Sequence, residues 1–256
     1  MERPPSFTPG DRLIEAADLT KLYGDFPAVQ DLTFALGPGE ILGLVGPNGA
    51  GKTTTLRCLS GVIPPTHGRV RLAGFDLATE PIKAKAQLAF IPDEPQLFDY
   101  LTVEEHLVFT ARLYGASPAP DDIDTLLEEL ELAGKRRTLA NALSRGMKQK
   151  LAIACGLLHD PRVILLDEPL TGLDPMGIRR MKATIATRAQ RGAAVILSSH
   201  LLPLVEELCS KVLIIQHGRI VALGSMAEIA AERPDLAGRG LEDLFLALTD
   251  SPHSVR

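Results

Sequence analysis

Residues 46 to 53 read Gly-Pro-Asn-Gly-Ala-Gly-Lys-Thr, the G-x-x-x-x-G-K-[ST] spacing of a phosphate-binding loop. Phosphate oxygens crowd the backbone in such a loop, so glycines are needed where a side chain would collide. Successive amide N–H groups can then point into one concavity and hold an anion. A helix starting at Lys52 would add the positive end of its dipole. Lys52 supplies a point charge for the outer phosphates, and Thr53 a hydroxyl for a magnesium ion. From ordinary composition such an octet arises by chance in about one chain of this size in a hundred. The expected ligand is a nucleoside triphosphate, MgATP foremost.

A second stretch, Val163 to Pro169 (VILLDEP), delivers two carboxylates at the end of an apolar run. Ligands of open parallel sheets sit at such strand ends. Asp167 is the candidate magnesium partner, and Glu168 the candidate base that orients and polarises an attacking water. On its own the pair reads equally as an acidic turn. Phosphoryl transfer needs a metal held opposite the phosphate loop, so the two stretches together favour the catalytic reading.

The elements that must position these groups follow from pattern. Glu40 to Val45 is apolar and ends at glycine, a central strand feeding the loop, and Lys52 to Leu59 reads as the helix after it. Short strands are expected at Ile14–Leu19, Thr33–Leu36 and Val70–Leu72, with Gly- or Pro-containing breaks between them. From about Leu101 the pattern turns helical. Thr102 and Glu105 have capping-box spacing, and Leu107, Val108, Ala111 and Leu113 follow as the apolar positions. Asp122–Leu132 and Ser144–Leu158 are further helices, with Ser144 as N-cap. Strand–helix alternation then resumes. Strands are expected at Val163–Leu166, Ala194–Ser198 and Lys211–Gln216. A helix opens at Asp174-Pro175, another spans Leu201–Cys209, and a hairpin leads to Ile220–Leu223. Ser225 and Glu228 form a second capping box, and Gly240–Leu248 is an amphipathic helix after a Pro/Gly-rich spacer.

Bulk properties narrow the class. With 256 residues and 45% apolar content the chain can bury a large core. A net charge of −5 argues against a nucleic-acid partner, whose footprint is usually basic. Cys58, Cys155 and Cys209 are dispersed and read as reduced thiols. No apolar run approaches the roughly 18 residues of a membrane span. If the protein works at a membrane, a separate partner supplies the crossing.

The ordered set of motifs resembles the ATP-binding subunits of ATP-binding-cassette (ABC) transporters, from about Leu13 to Leu223. Leu143–Gln149 (LSRGMKQ) is similar to the family's signature, and VILLDEP follows at the family's spacing. Gly172-Leu173-Asp174 matches the D-loop, Ser199-His200 the switch histidine, and Tyr23 the aromatic that stacks on adenine. The resemblance implies an α/β fold: a P-loop NTPase core of the ABC type with N-terminal antiparallel strands and an inserted helical subdomain. Its expected boundaries are a flexible lead-in at 1–12, the ATPase domain at 13–224 with the helical insert at about 95–159, and a helical tail at 225–256.

The resemblance also assigns roles. ATP would be bound by Tyr23, by Gly46, Pro47, Asn48, Gly49, Ala50, Gly51, Lys52, Thr53 and Thr54, and by Ser144, Gly146 and Asp174. Lys52, Glu168 and His200 would be catalytic, with magnesium held by Thr53, Asp93 and Asp167. Two subunits, as a homodimer or a heterodimer, would pair head to tail, Ser144 and Gly146 of one contacting the γ-phosphate at Lys52 of the other. The dimer would power an integral-membrane permease from the cytoplasmic face of the cell membrane. The ending GLEDLFLALTD resembles cassettes of type-2 permease exporters, which implies export. A soluble ABC-type ATPase on ribosomes or DNA and a small-molecule kinase are the rival classes. The first usually carries two cassettes, coiled-coil insertions or basic arms, and the second leaves Ser144–Gln149, Asp174 and His200 unexplained.

Three residues depart from the family pattern at functional positions. Asp93 stands where the family usually has Gln, and Arg145 where it usually has Gly; Met147 replaces the usual Gln of the signature. Asp93 remains a hard oxygen donor able to ligate magnesium, and it adds negative charge near the γ-phosphate. Arg145 either adds charge near the opposing phosphate or faces solvent. The stretch Phe90 to Leu101 is the expected docking groove for a permease helix through Leu97, Phe98 and Tyr100, unless these pack within the subdomain.

Overall fold

A computed structural model of the chain describes residues 12–117, 120–232 and 238–249. The expected lead-in before Arg12, the spacer at 233–237 and the end of the tail lie outside the described residues.

A four-stranded antiparallel sheet is built from β1 (Ile14–Tyr23), β2 (Phe26–Leu36), β4 (His67–Leu72) and β5 (Phe75–Asp76), in the order β2-β1-β4-β5. A six-stranded sheet contains β3 (Ile41–Val45), β6 (Leu88–Ile91), β7 (Val163–Asp167), β8 (Ala194–Ser198), β9 (Lys211–Gln216) and β10 (Arg219–Gly224). Its order is β10-β9-β3-β8-β7-β6, parallel except for β10 at the edge. The helices are α1 (Lys52–Leu59), α2 (Pro81–Ala86), α3 (Val103–Tyr114), α4 (Pro120–Glu129), α5 (Arg145–Leu157), α6 (Pro175–Gln190), α7 (Leu202–Leu208), α8 (Met226–Glu232) and α9 (Leu241–Thr249).

The parallel strands are apolar along their middles because both faces are covered, with polar residues at the ends of β7, β8 and β9. All five residues of β3, of β7 and of β8 are buried. Side chains alternate across the sheet. Leu42, Leu44, Leu165, Ile196 and Leu213 pack with Leu56 and Leu59 of α1 and with Leu19, Val29 and Leu72 of the antiparallel sheet. Ile41, Val45, Leu166, Val195, Leu197 and Ile214 pack on the other side with α3, α5, α6, α7 and α9. The phosphate-loop helix is thereby held between two sheets, and the helical block covers the opposite face.

The central strands and their helices fall close to where the sequence places them, and α1 and β8 coincide with expectation. The N-terminal strands run longer. Instead of short strands at Ile14–Leu19 and Thr33–Leu36, β1 and β2 form one hairpin closed at Tyr23↔Phe26, with Gly24 at φ 58° in its turn. Irregular register at Asp18 and Asp31, with φ of 50° and 53°, breaks the apolar alternation that would have revealed their length. In α3 only part of the expected apolar face is internal: Leu107 and Ala111 are buried, whereas Val108 and Leu113 face outward. The helix expected at Asp122–Leu132 is α4, which starts earlier and stops at Glu129; Glu131 then turns the chain at φ 58°. Both capping boxes form. Thr102 Oγ1 accepts from Glu105 N at 3.2 Å while Thr102 N donates to Glu105 Oε2 at 2.7 Å, and Ser225 and Glu228 do the same at 3.2 and 2.7 Å.

Candidate active site

The loop leaves β3 at Gly46 and enters α1 at Lys52. Its glycines are required by space. A Cβ on Gly46 would lie 2.3 Å from the Ile215 carbonyl, and one on Gly51, at φ 108°, would lie 2.4 Å from the Ala28 carbonyl. Those distances exclude any side chain without backbone movement, so the loop is wedged between β9 and β2. Lys52 Nζ donates to the Gly46 carbonyl at 2.7 Å and the Pro47 carbonyl at 3.2 Å, folding its ammonium over the loop. Burial lowers the Lys52 pKa, and the nearby Glu168 and Asp167 carboxylates oppose that shift.

A cavity of about 440 Å³ opens beside this loop, lined by Tyr23, Phe26, Ala28, Asn48 to Thr54, Asp167 and Glu168. Tyr23 and Phe26 are half or more exposed on the hairpin and give the cavity an aromatic wall. Phosphate donors, two carboxylates and an aromatic wall thus converge from three separate chain segments. Phe26 was not singled out from sequence; its pairing opposite Tyr23 in the hairpin is what brings it there.

The carboxylates are held at the end of β7 by a residue the sequence reading also passed over. Ser198, fully buried at the end of β8, donates from Oγ to Asp167 Oδ1 at 2.7 Å and accepts from the Glu168 amide at 3.0 Å. One hydroxyl thereby fixes both acidic residues. A lone serine ending an otherwise apolar strand was the only sequence signal. Glu168 sits at φ 49°, a left-handed conformation costing a non-glycine residue on the order of 1–3 kcal/mol. Its Oε2 lies 2.9 Å from His200 Nδ1. The expected base and the expected switch histidine are therefore direct partners within one subunit.

The remaining residues lie apart from the cavity lining. Ser144 caps α5, its Oγ accepting from Met147 N at 3.3 Å, which leaves the hydroxyl proton free to donate. Gly146 is required where α5 meets the D-loop: a Cβ there would stand 2.8 Å from the Gly172 carbonyl. Asp174 caps α6 by accepting from Gly177 N at 2.9 Å. Asp93 follows β6 and pairs with Arg145 rather than lining the cavity. One subunit brings together the loop, Tyr23, Asp167, Glu168 and His200. Ser144 and Gly146 stand on the helical block.

Ser198→Ala should remove the support of the buried Asp167 carboxylate and of the part-buried Glu168 amide. The expected cost is about 1–2 kcal/mol of stability. That corresponds to a melting temperature lower by about 2–8 °C for a chain of this size. Turnover should fall roughly tenfold to a hundredfold through misplacement of Glu168. Unchanged turnover in a steady-state phosphate-release assay would show that the hydroxyl does not position the base.

Comparison with known proteins decides the family. The family model described as ABC transporter matches residues 29–171, more than half of the chain. The chain belongs to the ABC transporter family. It is similar to the ABC-type transporter ATP-binding protein EcsA of Bacillus subtilis (strain 168), with 35% identity over 93% of this chain and 96% of EcsA. It is also similar to the Nod factor export ATP-binding protein I of Paraburkholderia xenovorans (strain LB400), with 37% identity over 85% of this chain and 72% of that protein. A solved ATP-binding subunit of an ABC transporter superposes with a TM-score of 0.87 at 34% identity, covering 92% of this chain and 99% of that one. The chain is an ABC ATPase, an ATP-binding subunit of the kind that drives a membrane permease. Among the described residues no helix is long and apolar enough to cross a membrane.

Proposed function

We propose that this ABC ATPase hydrolyses MgATP at a composite site completed by a second subunit, and that it drives export through a separate permease from the cytoplasmic face of the membrane. The observation that carries the hydrolytic reading is the contact between His200 Nδ1 and Glu168 Oε2 at the mouth of the phosphate cavity. It supports Glu168 as the group that accepts the proton of the attacking water, with His200 orienting that carboxylate and reaching toward the γ-phosphate. Magnesium fits the donor set. Thr53 and Asp167 line the same cavity, and Asp167 keeps Oδ2 available beyond its bond to Ser198. The ion would offset charge on the outer phosphates, while the loop amides and Lys52 hold them in place.

The second subunit is argued from what one subunit leaves unused. Ser144, with a free hydroxyl proton at a helix N-terminus, and Gly146 are anion-binding groups, yet they do not line the cavity of their own chain. Head-to-tail pairing gives them a phosphate, and it places Asp174 at the seam. A homodimer is the simplest arrangement. The relative named for Nod factor export supports the outward direction. The rival reading, a soluble ABC-type ATPase acting on another macromolecule, predicts co-purification with ribosomes or nucleic acid rather than with a membrane protein.

The groove for the permease lies on the helical side. Phe90, Pro92, Leu97, Phe98, Phe109 and Tyr114 line a trough of about 260 Å³ between the β6 end and α3. Phe98 packs edge-on against Phe109 with centroids 5.3 Å apart, and Leu97 packs partly into the core. Tyr100, expected to join them, stands 85% exposed outside the trough. Phe109→Glu should place a charge in this apolar wall. The variant is expected to detach from membranes of its own cell while the purified chain still binds ATP. Retention on membranes at the native level would move the docking site elsewhere.

A further inference from the structure

Two of the departures from the family pattern meet in space. Arg145 and Asp93 lie 52 positions apart, and the structure pairs Arg145 Nη2 with Asp93 Oδ1 at 3.4 Å. Ile91, the last residue of β6, pairs with Leu166 of β7, so Asp93 leaves the sheet beside the end that carries Asp167 and Glu168. Arg145 opens α5 immediately after Ser144. Its stem lies over Gly172 at φ 79°, where an added Cβ would meet Arg145 Cδ at 3.5 Å and Cγ at 3.6 Å. Arg145 therefore rests its apolar part on the D-loop and its charged head on Asp93. Among the described residues neither side chain has another ion-pair partner.

The resemblance implies uncharged Gln and Gly at the two positions. Here the two positions carry charges of opposite sign, and the charges face each other. An unpaired aspartate after β6, next to the strand end that carries Asp167 and Glu168, would add to the negative charge facing an anionic nucleotide, and an arginine alone at the start of α5 would sit at the unfavourable end of the helix dipole. Together they are neutral. Resting on the nucleotide-binding reading above, we propose that Asp93 and Arg145 are one compensated unit. In it Arg145 is a positioning residue that cancels the Asp93 charge toward the phosphates and ties the start of α5 to the core. The pair is half exposed, with side chains 44% and 61% accessible, so it adds little to folding stability. Its consequence lies in nucleotide affinity.

A double-mutant cycle tests this. Wild type, Asp93→Gln, Arg145→Gly and the double variant are compared by equilibrium binding of a fluorescent ATP analogue with and without magnesium, and by KM and kcat. Thermal melting without nucleotide is recorded for all four. Arg145→Gly should weaken binding about tenfold, a size usual for coupled charges in contact. That loss should appear in KM more than in kcat and should shrink at high salt. Adding Asp93→Gln should restore affinity to within about threefold of wild type, and Arg145→Lys should retain most of it. Effects that simply multiply in the double variant would overturn the proposal. So would melting temperatures that fall and recover in parallel with affinity, because the pair would then be structural only. Failure of the wild type to bind the analogue would instead remove the nucleotide reading itself.

Discussion

Glu168→Gln is expected to bind ATP with near-native affinity and to hydrolyse it about 10²–10⁴-fold more slowly, the usual loss when a general base is removed. The substitution keeps the shape of the side chain. Gln can still meet His200 Nδ1 at the position of Oε2, 2.9 Å away, but it cannot take a proton from water. The Glu168 amide keeps its bond to Ser198 Oγ, so the β7 end should hold its course. Single-turnover hydrolysis by stopped assay and equilibrium nucleotide binding separate the two effects. Hydrolysis within a fewfold of native would assign the base elsewhere.

Lys52→Ala is expected to act on the other side of the ledger, in binding. The ammonium now rests on the half-buried Gly46 carbonyl and the exposed Pro47 carbonyl, so its loss leaves no fully buried group stranded. Melting should therefore change by no more than about 2 °C, as for substitutions away from buried features. ATP affinity should fall by about 1.5–3 kcal/mol, the contribution of one charge-assisted hydrogen bond, or roughly tenfold to 150-fold. Calorimetric titration with ATP measures it. Native affinity in the variant would mean that the cavity beside the loop is not where the phosphates sit.

Where the sequence foretold structure, one local rule and one global need pointed the same way. β3, β7 and β8 are apolar on both faces because helices and a second sheet cover them, and α1 follows a loop whose glycines are forced by the Ile215 and Ala28 carbonyls. Lys52, Asp167 and Glu168 were legible for the same reason: their types and spacing carry the chemistry, and the topology only had to bring the ends of β3 and β7 to the same edge of the sheet, with β8 between them. Phe26 and Ser198 were not legible. Phe26 reaches the cavity through a hairpin whose bulges at Asp18 and Asp31 hide its alternation. Ser198 matters through two hydrogen bonds to residues 31 and 30 positions away, which no local pattern encodes. The Arg145–Asp93 pair shows the same limit. Each residue was visible as a departure, and only the fold, by placing the start of α5 against the end of β6, made them partners.

The shared site itself is tested most directly by the mass in solution of Glu168→Gln with saturating MgATP, measured by light scattering behind gel filtration. A composite site closed by Ser144 and Gly146 of a second chain predicts a species of twice the 27.5 kDa subunit with ATP, and the subunit mass without it. A variant that holds ATP and remains at 27.5 kDa would contradict it.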